Sequence, residues 1–62
     1  MKKKLIASAG DKENLEKLIN EFYFSENCVI TENNEVYNKK LDKILEGVKV
    51  VYSRKRWRFE FV

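Results

Sequence analysis

The chain has 62 residues and a mass of 7.4 kDa, a length that holds one hydrophobic core, so residues 1–62 are read as a single small domain. Its 13 Lys and Arg against 10 Asp and Glu give a formal charge of +3, and 44% hydrophobic with 13% aromatic residues is the composition of a globular domain rather than a disordered tail. No His and a single Cys exclude imidazole acid–base chemistry, His-assisted Ser or Cys nucleophiles, a zinc site made from the usual ligands of one chain, and any disulfide within it.

The first residues, Met1-Lys2-Lys3-Lys4-Leu5-Ile6, start with a basic head and run to Ala7-Ser8-Ala9. The apolar run falls short of the roughly 7–15 residues that a secretory leader needs. Asp11, Lys12 and Glu13 follow at once, so no targeting segment is expected. No stretch approaches the roughly 20 apolar residues of a membrane helix, and a lone Cys suits a reducing compartment. The expected location is the cytoplasm.

Residues 3–8 are predicted to form a first strand, with Ala7-Ser8-Ala9-Gly10 turning the chain after it. Asp11 is the expected N-cap of a helix over residues 11–24, and Glu13 suits its positive first turn. Leu15, Leu18, Ile19 and Phe22 recur at i, i+3, i+4 and i+7, the stripe of a core-facing helix, and Tyr23 and Phe24 extend it. Lys12, Glu13, Glu16, Lys17 and Asn20 form the opposite, polar face. Residues 27–38 are predicted to be a hairpin about Asn33-Asn34, pairing Thr31 with Val36 and Ile30 with Tyr37, so that Cys28, Ile30 and Tyr37 face the core. Cys28 has no His or cation cluster beside it and is expected to be a small core residue rather than a reactive thiol. Residues 39–47 are predicted to be a loop with at most one helical turn, stopped by Gly47.

Residues 48–62 carry the strongest strand pattern. A turn at Arg54-Lys55 sets Tyr52 opposite Trp57, Val50 opposite Phe59 and Val48 opposite Phe61, all on one face. On the other face Lys49 opposes Glu60 and Val51 opposes Arg58. The expected architecture is α+β, with one amphipathic helix packed on a four- to five-stranded, mainly antiparallel sheet in the order β-α-β-β-β-β.

Charge is unevenly spread: residues 5–38 sum to −5 and residues 39–62 to +5. Ser53-Arg54-Lys55-Arg56-Trp57-Arg58 concentrates the cations. Arg56 and Arg58 alternate away from the Trp57 face and are joined there by Lys49, while Arg54 and Lys55 occupy the tip. Such a ribbon can follow a phosphate backbone or enter a groove. These five residues are the candidate surface for nucleic acid or an acidic partner. The same pattern also arises where an exposed strand face is merely polar, or where Lys and Arg protect a sheet edge. Trp57 is expected in the core, since Phe59 and Phe61 share its face. Val51 on the outer face and Phe61-Val62 on an expected edge strand are the candidate contacts for a homo-oligomer. Catalysis is not expected. Glu32 and Glu35 flank a solvated turn, and Asp11 would repel a phosphate at the helix start. Neither cofactor nor metal is implied.

Met1-Lys2-Lys3-Lys4, the Lys/Asn/Glu/Ile bias, the compact helix Leu15–Phe24 and the terminal Arg56-Trp57-Arg58-Phe59-Glu60-Phe61 together give a layout. It resembles that of short orphan proteins encoded by phages and mobile elements of low-GC bacteria, a group that includes anti-CRISPR proteins. The resemblance implies a non-enzymatic phage protein that inhibits a host nuclease defence, with nucleic acid or a nucleic-acid-processing host complex as partner. It carries over no site residue. Two other readings use the same features: an autonomous DNA- or RNA-binding regulatory protein, and a self-assembling structural subunit joined head to tail by opposite charges.

Overall fold

The computed structural model describes residues 4–62. Residue 3 of the expected first strand, with Lys2 and Lys3 of the basic head, lies outside the described residues. The elements run β1 (Leu5–Ala9), α1 (Lys12–Phe22), β2 (Cys28–Ile30), β3 (Val36–Asn38), β4 (Lys43–Ile44), β5 (Val48–Ser53) and β6 (Arg56–Phe61). The class is α+β. In place of one sheet of four to five strands there are two antiparallel sheets of three, ordered β1-β6-β5 and β2-β3-β4. Gly47, at φ 81°, turns the chain between β4 and β5, so the second ladder does not continue into the first.

Asp11 caps the helix as expected: its Oδ1 accepts from the Asn14 N–H at 2.7 Å. Leu15 and Ile19 are wholly buried, Leu18 is half-buried and Phe22 lies at the rim. Each fully buried aliphatic side chain contributes about 1.5–3 kcal/mol. The first strand extends through Ala9, so Ala7-Ser8-Ala9 is strand and only Gly10 and Asp11 turn. Ala7 lies across from Phe59 and Ala9 across from Trp57. The small side chains leave room on this face for the helix and the large rings of β6.

The C-terminal hairpin has the register that its periodicity predicts, from Val48↔Phe61 through Val50↔Phe59 to Tyr52↔Trp57. Phe59 is the centre of the core, 0% exposed, with Phe22 and Tyr23 edge-on at 6.1 Å. Val50, Val36, Cys28 and Ala9 close the core around it.

Three further expectations are corrected. The hairpin of β2 and β3 pairs Ile30 with Val36, Val29 with Tyr37 and Cys28 with Asn38, one residue out of the predicted register. Thr31 explains the shift: its Oγ1 accepts from the Asn33 and Glu35 N–H groups at 3.2 and 3.1 Å. The three-residue loop it stabilises needs a left-handed backbone only at Asn34, φ 59°. The slip exchanges faces, so Val36 is buried and Tyr37 points outward. Its hydroxyl donates to the Asp42 carboxylate, which pushes the Tyr37 pKa up.

Residues 39–47 are the expected loop as far as Gly47, except that they hold a two-residue strand and no helical turn. Asn38 Oδ1 accepts from the Lys40 and Leu41 N–H groups, both at 2.9 Å, and Asp42 at φ 54° ends the turn. The short strand β4 follows, with Ile44 against Tyr37.

The third correction is at the helix end. Phe24 does not extend the apolar stripe. Its N–H donates to Glu21 O, and that of Ser25 to Asn20 O, the paired bonds of a helix stop that turns on a left-handed residue. Phe24 takes that place at φ 50° and is 98% exposed. The left-handed backbone costs a side chain with a Cβ about 1–2 kcal/mol, which Gly avoids.

Candidate nucleic-acid interface

Helix α1 packs against β1 and β6, on the face of the β1-β6-β5 sheet that carries Phe59 and Val50. The register sets Lys49, Val51 and Ser53 of β5, Arg56, Arg58 and Glu60 of β6, and Ser8 of β1 on the opposite face. Four of the five predicted cations therefore adjoin as expected: Arg56 and Arg58 on this face, with Arg54 and Lys55 at its end. Lys49 lies on the same face but directly opposite Glu60.

Two contacts organise the arginines. Arg56 Nε donates to Ser8 Oγ at 3.0 Å, which fixes the root of its guanidinium and leaves the terminal nitrogens for a ligand. Arg58 Nε donates to Glu60 Oε2 at 2.7 Å, an ion pair that spends part of this cation inside the chain. The positive track is strongest from the tip to Arg56 and weakens at Glu60. Ser8 lies where the expected strand, residues 3–8, overlaps the expected turn from Ala7, and the structure places it in the strand. Its place in the small-polar-small run Ala7-Ser8-Ala9 is the strand alternation that could have found it.

β6 is the central strand, flanked by β1 and β5. This corrects the expectation of Phe61-Val62 on an edge strand, and it removes edge protection as the reason for Arg56 and Arg58. Phe61 leans on Phe22, their ring centres 6.4 Å apart, while Val62 is exposed and its N–H donates to Gly47 O. Val51 is half-buried within the open face.

The tip is a two-residue turn closed by Ser53↔Arg56, with Arg54 at φ 52° and Lys55 at φ 65°. Two consecutive positive φ values define the turn that Asn-Gly satisfies best. Arg54 and Lys55 hold it at a backbone cost. Replacing both, as Arg54→Asn with Lys55→Gly, is expected to stabilise the fold by about 1 kcal/mol and raise the melting temperature by roughly 4–8 °C. A thermal melt that stays put or falls would show the turn to be relaxed.

On the core side of the same tip, Trp57 is half-buried rather than fully enclosed. Lys12 Nζ lies 5.1 Å from its ring centre, and Tyr52 tilts against it at 4.9 Å. Cys28 is buried, and burial pushes its thiol pKa up, the direction that suppresses a reactive thiolate. Among the described residues no group of three or more Cys, Asp or Glu is placed to hold a metal ion, and no helix is long and apolar enough to cross a membrane.

Family models, curated proteins and solved structures contain no match to this chain.

Proposed function

We propose that this chain is a non-enzymatic binding protein whose basic hairpin engages the phosphate backbone of nucleic acid. The observation that carries the reading is the tip. Arg54 and Lys55 stand at two consecutive left-handed positions where their side chains bring a backbone penalty and no intrachain hydrogen bond among the described residues. Cations held at such a place are explained by a ligand outside the chain. Arg56, seated on Ser8, extends the same track along the open face. The acidic residues Glu13, Glu16 and Glu21 lie on α1, which covers the other face of the sheet, so the binding side keeps its sign.

The resemblance to phage orphan proteins supplies the setting. Bound to the nucleic acid of a host nuclease system in the cytoplasm, such a protein would act as an inhibitor by occupation. Binding without inhibition of the nuclease would assign the same surface to a regulatory protein.

The test is a salt titration with labelled single- and double-stranded DNA and RNA. Neutralising about four phosphates gives a slope of roughly −3.6 in log affinity against log salt on duplex DNA. The double variant Arg56→Glu, Arg58→Glu, its fold checked by circular dichroism, is expected to lose about two orders of magnitude in affinity and to flatten that slope by roughly 2. No binding by the wild type near physiological salt, or an unchanged slope in the variant, would remove nucleic acid as the ligand of this hairpin.

A further inference from the structure

We infer that a second copy of this chain docks at the C-terminal end of α1, with Phe24 of each copy entering a groove on the other. The inference stands apart from the hairpin reading. Phe24 lines an open groove of about 1290 Å³ between the end of the helix and the turn after β3, together with Leu41, 56% exposed. Phe24 itself is 98% exposed and sits at the one left-handed position of the helix stop, where Gly has no penalty. Both its backbone and its ring are unfavourable in the isolated chain. A large aromatic kept under those conditions is the anchor of an interface.

The charges around the groove favour a second copy as the occupant. Its rim carries Lys17 and Lys40 against Glu21 and Glu26, and none of the four is ion-paired among the described residues. A two-fold contact lays a patch on its own copy, so a patch of one sign repels itself. The basic hairpin fails that condition. The groove rim, two positive and two negative, meets it, because rotation can set each Lys against a Glu of the other copy. Lys12, at the other end of α1, sits over Trp57 beside the hairpin tip. The dimer therefore leaves the basic tip uncovered.

Sedimentation equilibrium of the full chain tests this from low to high micromolar concentration. The wild type is expected at twice 7.4 kDa. Phe24→Gly removes the anchor while placing the preferred residue at the helix stop. It is expected to keep the circular dichroism spectrum and to weaken the dimer at least tenfold. Lys17→Glu with Lys40→Glu, and Glu21→Lys with Glu26→Lys, are each expected to weaken self-association. Mixing the two double variants is expected to restore a dimer. A wild type that stays monomeric throughout, as it would if the groove served another protein, overturns the inference. So does a Phe24→Gly dimer as tight as the wild type, or charge variants that do not recover on mixing.

Discussion

Phe59→Ala is expected to leave this chain without a stable native state. Phe59 is the wholly buried centre of the sheet, between Val50 on β5 and Ala7 on β1, with the rings of Phe22 and Tyr23 edge-on to it. Removing a buried Phe costs about 3–5 kcal/mol, the lost transfer energy plus the cavity left behind. A chain of this length has a total stability of about 3–9 kcal/mol at the usual 0.05–0.15 per residue. The loss is comparable with the whole. Near-ultraviolet circular dichroism should flatten and urea unfolding should lose its native baseline. Phe61→Ala is the comparison: its side chain is 47% exposed, and the expected loss is about 1 kcal/mol. Equal effects of the two substitutions would contradict the central place of Phe59.

Asn20→Ala is expected to cost about 2–4 kcal/mol, far more than a polar helix residue normally does. The Asn20 amide donates to the carbonyls of Glu16 and Cys28, each at 3.0 Å, and its Oδ1 accepts from the Cys28 N–H at 2.9 Å. The side chain thus stands in for a neighbouring strand along the Cys28 backbone. It ties the helix to the second sheet. Alanine leaves the Cys28 N–H and carbonyl without these partners beside the core, and each such group costs about 1–3 kcal/mol. Urea denaturation of Asn20→Ala beside Lys39→Ala, an exposed side chain away from the groove, gives the check. The latter should shift stability by no more than about 0.5 kcal/mol. Similar midpoints for the two would show the Asn20 bridge to be unimportant.

Asn20 also shows where pattern reading ends. Helical period places it on the polar face beside Glu16 and Lys17, and nothing in the local sequence distinguishes a solvated amide from one that pairs a distant strand. The Cys28 backbone decides, and it arrives through the turn after the helix. Phe24 is the opposite case. Apolar character predicts burial, but the helix stop at Tyr23 reverses the chain and sends Phe24 outward. The missing signal was the absence of Gly after the helix, which makes a bulky residue take the left-handed turn.

The candidate surface was largely legible. Arg56, Arg58 and Lys49 alternate with Trp57, Phe59 and Val50, and a period of two assigns faces without knowledge of the rest of the fold. Its supports were not legible. Ser8 reaches Arg56 across 48 positions of sequence, and Glu60 takes Arg58 rather than serving Lys49 alone.

By itself the sequence determined the α+β class, the Asp11-capped helix, the register of β5 on β6 and the clustering of cations at their turn. All of these rest on contacts between near neighbours, where side-chain period and turn length leave few alternatives. Only the tertiary structure decided the division into two sheets, the central place of β6, the slipped register of β2 on β3, the short strand β4, and the outward Phe24 with its groove. Strand order and the β1 contacts depend on partners brought together by long-range closure. The slip at Thr31 and the turn at Asn38 depend on single hydrogen bonds of side chains to backbone, which carry no hydrophobic period to reveal them.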